Sequence, residues 1–179
     1  MFGSSLAKRQ LKRRMEEYRP RLYRLAWSWC RDAQLADDLV QDCMVRGLQR
    51  IDQLRNVDQL EVWLTRILAN LHKDHLRRRK ETVDVDDVEL TGDMGPEQDA
   101  QRRDLVTRVR DAVDRLNDDQ RKVLTLVDLM EFSYADVAQA LDIPVGTVMS
   151  RLCRARARLK QMLKDEDLKS AVVPLWRIK

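Results

Sequence analysis

The residues with the most chemistry in their spacing lie between 144 and 160, in the run PVGTVMSRLCRARARLK. Val148, Leu152, Ala155 and Leu159 recur at spacings of four, three and four. On a helix this makes one apolar stripe and turns Thr147, Ser150, Arg151, Arg154 and Arg158 to the opposite side. Small hydroxyls near a helix N-terminus allow close approach, and guanidiniums behind them donate to base edges and phosphates. That is what a reader of the DNA major groove requires. Arg156, Lys160 and Lys164 add charge at the flanks. A basic surface helix alone would be unremarkable, but this one follows two local signals. Ser133 and Asp136 have the form of a capping box with Asp in place of Glu or Gln, opening a short helix whose Val137, Ala138 and Leu141 face inward. Asp142, Ile143 and Pro144 then make a tight turn, because Asp tolerates a left-handed backbone and Pro144 suits the first turn of the next helix, where its missing N–H is no loss. Helix, turn and helix are all signalled.

No other constellation supports catalysis. No nucleophile stands at a convincing spacing from a base, and no metal-binding carboxylates cluster, so the chain reads as a non-enzyme without a cofactor. His72 and His75 flank Asp74, but a closed zinc site needs about four ligands and no Cys or His pair follows at finger spacing. The histidines are expected on or beside the exposed face of their helix. Asp37, Asp38 and Asp42, spread along one helix, read as a solvated or protein-binding face rather than an ion site. Cys30, Cys43 and Cys153 are scattered without a C-x-x-C, which suits reduced thiols in a cytoplasm. No apolar run approaches the roughly 20 residues of a membrane span, and the N-terminus lacks a signal-peptide core. The expectation is a cytoplasmic protein with no membrane insertion.

The elements that must hold these residues are helices. Charged residues make up 36% of the 179 and aromatics 5%, with only 5 Gly and 4 Pro, a balance typical of solvent-washed helices. The net charge of +4 averages strongly basic and strongly acidic segments, and basic segments on helical periods point to nucleic acid. Leu11, Met15, Tyr18, Leu22, Leu25 and Trp29 trace one stripe from about Leu6 to Cys30. Asp32 caps a second helix with Leu35, Leu39, Val40 and Cys43 inward and Asp37, Asp38, Gln41, Asp42 and Arg46 outward. A third starts near Asp58, with Leu60, Trp63, Leu64, Ile67, Leu68 and Leu71 as its stripe, and closes at Arg77–Lys80, where cations suit a helix C-terminus. Trp27, Trp29 and Trp63 are expected in the core. Between Glu81 and Ala100 stand eight acidic residues and no Lys or Arg, broken by Gly92, Gly95 and Pro96. Like charges keep such a segment extended. Leu105, Val109, Val113 and Leu116, then Leu124, Leu126, Val127 and Leu129, supply the apolar faces of a second domain. The expected fold is all-α: a helical domain at 1–80, an acidic flexible linker at 81–100, a helix-turn-helix domain at 101–164 and a tail at 165–179 that carries Trp176.

The segments DRLNDDQRKVLTLVDL, FSYADVAQAL and DIPVGTVMSRLCRARARL, spanning 114–159, resemble the DNA-binding domain of extracytoplasmic-function (ECF) sigma factors. DDLVQDCMVRGLQRI and VWLTRILANLHKDHLRRRK resemble that family's polymerase-binding and promoter-opening helices, in the same order and separation. The resemblance implies a dissociable, non-catalytic subunit of bacterial RNA polymerase. Its C-terminal domain would bind the minus-35 element with Ser150, Cys153 and Arg154 nearest the bases and Thr147, Arg151 and Arg158 toward phosphates. Its N-terminal domain would open the minus-10 element through Asn70, Lys73 and Arg77, with the loop Arg55, Asn56, Val57, Asp58 and Gln59 capturing an unstacked base. Asp38, Leu39, Gln41 and Asp42 would dock on the clamp helices of the β′ subunit, and the flap of the β subunit and an anti-sigma factor would be further partners. Leu60 and Thr65 stand where relatives carry aromatics, which implies fewer stacking contacts in strand opening. Met149 replaces a commoner Lys or Arg, and Glu131 and Asp142 stand where glycine is usual. The competing reading is a helix-turn-helix regulator that is not a polymerase subunit. A receiver-type N-terminal half would need alternating strands and helices, which are absent.

Overall fold

The computed structural model describes residues 5–54, 56–82 and 100–164. Their regular structure is helical throughout, and they form two compact units. One holds α1 (Ser5–Cys30), α2 (Ala33–Gln49) and α3 (Leu60–Thr82); the other holds α4 (Ala100–Asp114), α5 (Asp118–Asp128), most of α6 (Tyr134–Leu141) and α7 (Val145–Lys164).

In the first unit α1 buries Leu11, Met15, Leu22, Leu25 and Trp29, the stripe read from spacing, while Tyr18 is half-buried. The helix runs through Pro20 on its exposed side. It ends at Arg31, whose φ of 54° is left-handed and whose guanidinium carbon lies 4.3 Å from the centre of the Trp27 ring. A cation over an indole face offsets part of the backbone strain. Asp32 then accepts from the Leu35 N–H at 3.0 Å and caps α2 as expected. The buried side of α2 includes Gly47, where three helices converge. A Cβ there would lie 2.7 Å from Met15 Cε of α1 and 3.0 Å from Leu64 Cδ2 of α3. Two 3-10 turns, Ile51–Gln53 and Val57–Gln59, lead into α3, the second capped by Asn56 accepting from the Asp58 N–H at 2.9 Å. Helix α3 packs on both α1 and α2. It buries Leu60, Val62, Leu64, Thr65, Ile67, Leu68, Ala69, Leu71 and His72, an arc much wider than one stripe.

In the second unit Asn117 caps α5 by accepting from the Gln120 N–H at 2.8 Å. The Arg121 guanidinium donates to the carbonyls of Asp114 (3.1 Å) and Leu116 (3.0 Å), pairing backbone acceptors at the end of α4. Beyond α5 the chain turns at Glu131, with φ of 60°. The capping box is complete: Asp136 N–H donates to Ser133 Oγ at 3.1 Å, Ser133 N–H to Asp136 Oδ2 at 3.3 Å, and the Ser133 hydroxyl to the same carboxylate at 2.6 Å. The α6–α7 turn uses a left-handed Asp142, φ 56°. Pro144 lies just outside α7 rather than within its first turn, its carbonyl accepting from Thr147 (2.9 Å) and Val148 (3.1 Å). Val148, Leu152, Ala155 and Leu159 are all buried where α7 meets α4 and α5. Leu129, expected inward, is exposed at the end of α5, and Val123 is buried instead. The acidic linker falls outside the described residues except at its ends, where α3 continues to Thr82 and α4 begins at Ala100. The tail, with Trp176, lies outside them altogether.

Candidate nucleic-acid interface

With the core side of α7 settled, helical spacing places Gly146, Ser150, Cys153 and Ala157 along the middle of its outer side, all exposed. None is larger than a thiol. Arg154 and Arg158 are exposed on one flank, and Thr147 and Arg151 are half-buried there. The polar groups are linked. Ser150 Oγ donates to the Thr147 carbonyl at 3.1 Å, and Arg154 donates through Nε to the Ser150 carbonyl (3.2 Å) and through Nη2 to Ser150 Oγ (3.3 Å). These bonds lay the Arg154 side chain along the helix toward its N-terminus. Arg151 is bound differently, its Nη2 lying 2.6 Å from Asp119 Oδ2 of α5. Arg156, on the other flank, pairs with Asp128 at 2.7 Å, a hydrogen bond that raises the guanidinium pKa further.

On α3 the burial pattern leaves a narrow outer strip of Arg66, Asn70, Lys73 and Arg77, again at spacings of four, three and four. The sequence reading named Asn70, Lys73 and Arg77, and the strip adds Arg66. The signal for Arg66 was its place one helical step before Asn70. Before α3, Asn56, Asp58 and Gln59 are exposed and Val57 half-buried, while Arg55 lies outside the described residues. One expectation fails here, that for His72. Leu60 is fully buried, as its place in the apolar stripe requires, and so is Thr65, which no apolar spacing marked; neither position presents a face to a base. His72 is also buried, at 1% exposure, its ring 5.6 Å from that of Trp29. It is a core side chain because α3 has neighbours on two sides. Trp27 and Trp63 are half-buried, and of the three tryptophans expected in the core, Trp27, Trp29 and Trp63, only Trp29 is fully buried.

On α2 the outer face carries Gln34, Asp38, Gln41, Asp42 and Val45, all exposed. Gln34 Nε2 donates to Asp38 Oδ1 at 3.2 Å. Leu39 is 5% exposed and belongs to the core, so of the four docking residues expected it is the one that cannot touch a partner directly. Val45, 46% exposed between Gln41 and Gln49, is the apolar residue this face does present. Reading for apolar stripes passes over an apolar residue that lies off the stripe. Burial pushes the Cys43 thiol up to about 12, whereas Cys153 is exposed. Among the described residues no three His, Cys, Asp or Glu side chains gather as a metal site.

Comparison with known proteins accounts for this layout. Residues 14–82 match the family model "Sigma-70 region 2" and residues 107–159 the model "Sigma-70, region 4". The ECF RNA polymerase sigma factor EcfG of Rhodopseudomonas palustris is 39% identical over 146 residues, 80% of each chain. This chain belongs to the ECF sigma factors. Another relative of the sigma factor, SigM of Mycobacterium tuberculosis, is 36% identical over 163 residues, covering 90% of this chain and 79% of its own. Among solved structures, the sigma factor RpoE of Bartonella quintana, in complex with the anti-sigma factor NepR, matches with a TM-score of 0.71 and 28% identity over 87% of this chain and 97% of that one. CnrH, in complex with the cytosolic domain of CnrY, matches with a TM-score of 0.63 and 27% identity over 92% of each. The two matched regions of the sigma factor coincide with the units that carry the α3 strip and the α7 face. No helix among the described residues is long and apolar enough to cross a membrane.

Proposed function

We propose that this sigma factor works as a non-catalytic, cytoplasmic subunit whose three exposed faces divide the labour of initiation. Asp38, Gln41 and Asp42 on α2, with Val45 among them, dock on the clamp helices of the polymerase β′ subunit. Asn70, Lys73 and Arg77 on α3, joined by Arg66, hold the minus-10 element as its strands part, and the loop ending at Gln59 captures an unstacked base. Thr147, Ser150, Arg151, Cys153, Arg154 and Arg158 on α7 bind the duplex at the minus-35 element, Ser150, Cys153 and Arg154 at base edges and the others toward phosphates. The observation that carries the reading is the recurrence on α3 and α7 of a row of cations and polar side chains along the side that packing leaves open. Such faces give salt-dependent phosphate contacts that orient a few base-reading groups. The domains would be residues 1–80 and 101–164, with the acidic segment 81–100 as tether. The flap of the β subunit is a second polymerase contact. An anti-sigma factor is a further partner, since the solved relatives RpoE and CnrH were captured in complexes with NepR and with the cytosolic domain of CnrY. Run-off transcription with purified bacterial core polymerase tests the assignment. Addition of the full chain should confer initiation at mapped start sites that share two upstream elements, whereas a regulator acting outside the polymerase would confer none on core alone.

A further inference from the structure

The outer side of α7 has a second flank that the DNA-binding assignment leaves unused. Its two N-terminal turns, the part of a recognition helix that enters the groove, carry Val145 and Met149 there, 43% and 54% exposed. Met149 is the most exposed large apolar side chain among the described residues. The next cation on that flank, Arg156, is paired with Asp128 of α5 at 2.7 Å. At the groove-entering end, then, one flank offers hydrogen-bond donors and the other offers hydrocarbon and a thioether. Between them Gly146 has nothing within 4 Å of where a Cβ would stand, so nothing from the protein's own fold covers that side.

In the major groove only one base edge rewards such a surface. Guanine presents two acceptors, adenine an acceptor and a donor and cytosine a donor, while thymine adds the C5 methyl group. Methionine makes no useful hydrogen bond with the polar edges and would desolvate them, whereas it gains by packing on a methyl. Its unbranched chain can also reach a methyl one base pair to either side. We propose that Met149, assisted by Val145, is a specificity-determining residue that reads thymine methyl groups in the upstream promoter element, opposite the flank from which Arg154 reads hydrogen-bonding edges. The proposal rests on α7 being the duplex-binding helix and adds the base it selects.

The test uses the full chain assembled with core polymerase. A duplex pool with a randomised upstream element is enriched for binding, and the selected sequence is then remade with deoxyuridine in place of each thymidine in turn. The wild-type protein should lose about three- to fivefold in affinity at one or two thymines, the worth of one buried methyl. Met149→Ala should bind the thymine duplex that much more weakly and no longer distinguish uracil from thymine there, with Val145→Ala giving a smaller loss of the same kind. Because Met149 is exposed, the variant should melt with the wild type. Uracil penalties of equal size in wild type and Met149→Ala would overturn the proposal, as would their absence from the wild type. If Met149→Ala instead weakened core assembly with the uracil penalty intact, the residue would be a protein contact and the proposal wrong. Arg158→Ala separates the two levels. Binding that depends on Arg158 but ignores the methyls sinks only the methyl reading, whereas binding insensitive to Arg158, Arg154 and Met149 alike sinks both.

Discussion

Arg154 offers the sharpest test of how α7 meets DNA. Its guanidinium donates through Nε and Nη2 to Ser150, and the side chain, with further N–H donors, is exposed. A bidentate guanidinium–base contact discriminates by about 1 to 3 kcal/mol, so Arg154→Ala should weaken the preferred upstream element by about 5- to 150-fold. Elements already mismatched at that position should hardly change. Core packing is untouched, because the buried stripe of Val148, Leu152, Ala155 and Leu159 lies on the other side, and the change in stability should stay within about 0.5 kcal/mol. Arg158→Ala, at a position assigned to a phosphate, should weaken all sequences alike and lower the slope of log affinity against log salt by about 0.9. Ser150→Ala removes the hydroxyl that orders Arg154 and should cost the same preference in smaller measure. The assay is an anisotropy titration of the assembled polymerase on single-base variants of the upstream duplex at two salt concentrations. Undiminished sequence preference in Arg154→Ala would refute the orientation assigned to the helix.

Four further outcomes are expected. Glu131 is left-handed without being glycine, so Glu131→Gly should relieve strain and, after the entropy cost of glycine, raise stability by about 0.5 to 1 kcal/mol; a lower urea midpoint would count against this. Gly47→Ala should destabilise by about 1 to 3 kcal/mol in spite of alanine's better helix propensity, since the new methyl meets Met15 and Leu64 at 2.7 and 3.0 Å; a stabilised variant would show that this helix crossing has slack. Burial holds the Cys43 thiol protonated up to about 12 against an ordinary value of 9.0, so the unfolded chain releases that proton first and stability should fall by about 1.4 kcal/mol per pH unit above pH 9. Urea unfolding of Cys43→Ala should lack this part of the alkaline slope, and an identical slope would exclude the thiol as its source. Asp38→Lys combined with Asp42→Lys should abolish co-purification with core polymerase while leaving the melting temperature nearly unchanged; retained core binding would remove α2 from that interface.

Much of the architecture was legible because it is written in local rules. The caps at Asp32 and Ser133–Asp136 are side chains that satisfy backbone groups within three residues, and the left-handed turn at Asp142 depends on its own backbone. The apolar stripes of α1 and α7 were equally plain, since a helix packed along one side repeats its apolar residues with the helical period. Pro144 was misplaced by one position because a proline just before a helix and one inside its first turn leave nearly the same trace in sequence.

What sequence alone determined about this protein is therefore its helices, the caps at Asp32 and Ser133 though not those at Asn56 and Asn117, and the apolar side of those helices that have one packed face. Tertiary structure decided the rest, and the reason is that periodicity tells which side of a helix is apolar but not how many neighbours it has. Helix α3 touches both α1 and α2, so Thr65 is buried, as is His72, which was expected on or beside the exposed face, and the open strip shrinks to Arg66, Asn70, Lys73 and Arg77. Leu39 lies in the core, as its spacing indicated, but the exposure of Val45 on the outer face of the same helix was not foreseen. Arg151 and Arg154 look alike in the chain. Only the approach of α5 gives Arg151 a carboxylate at 2.6 Å, while Arg154 bonds within its own helix and stays exposed. An ion pair between helices depends on where their axes cross, and no local spacing encodes that.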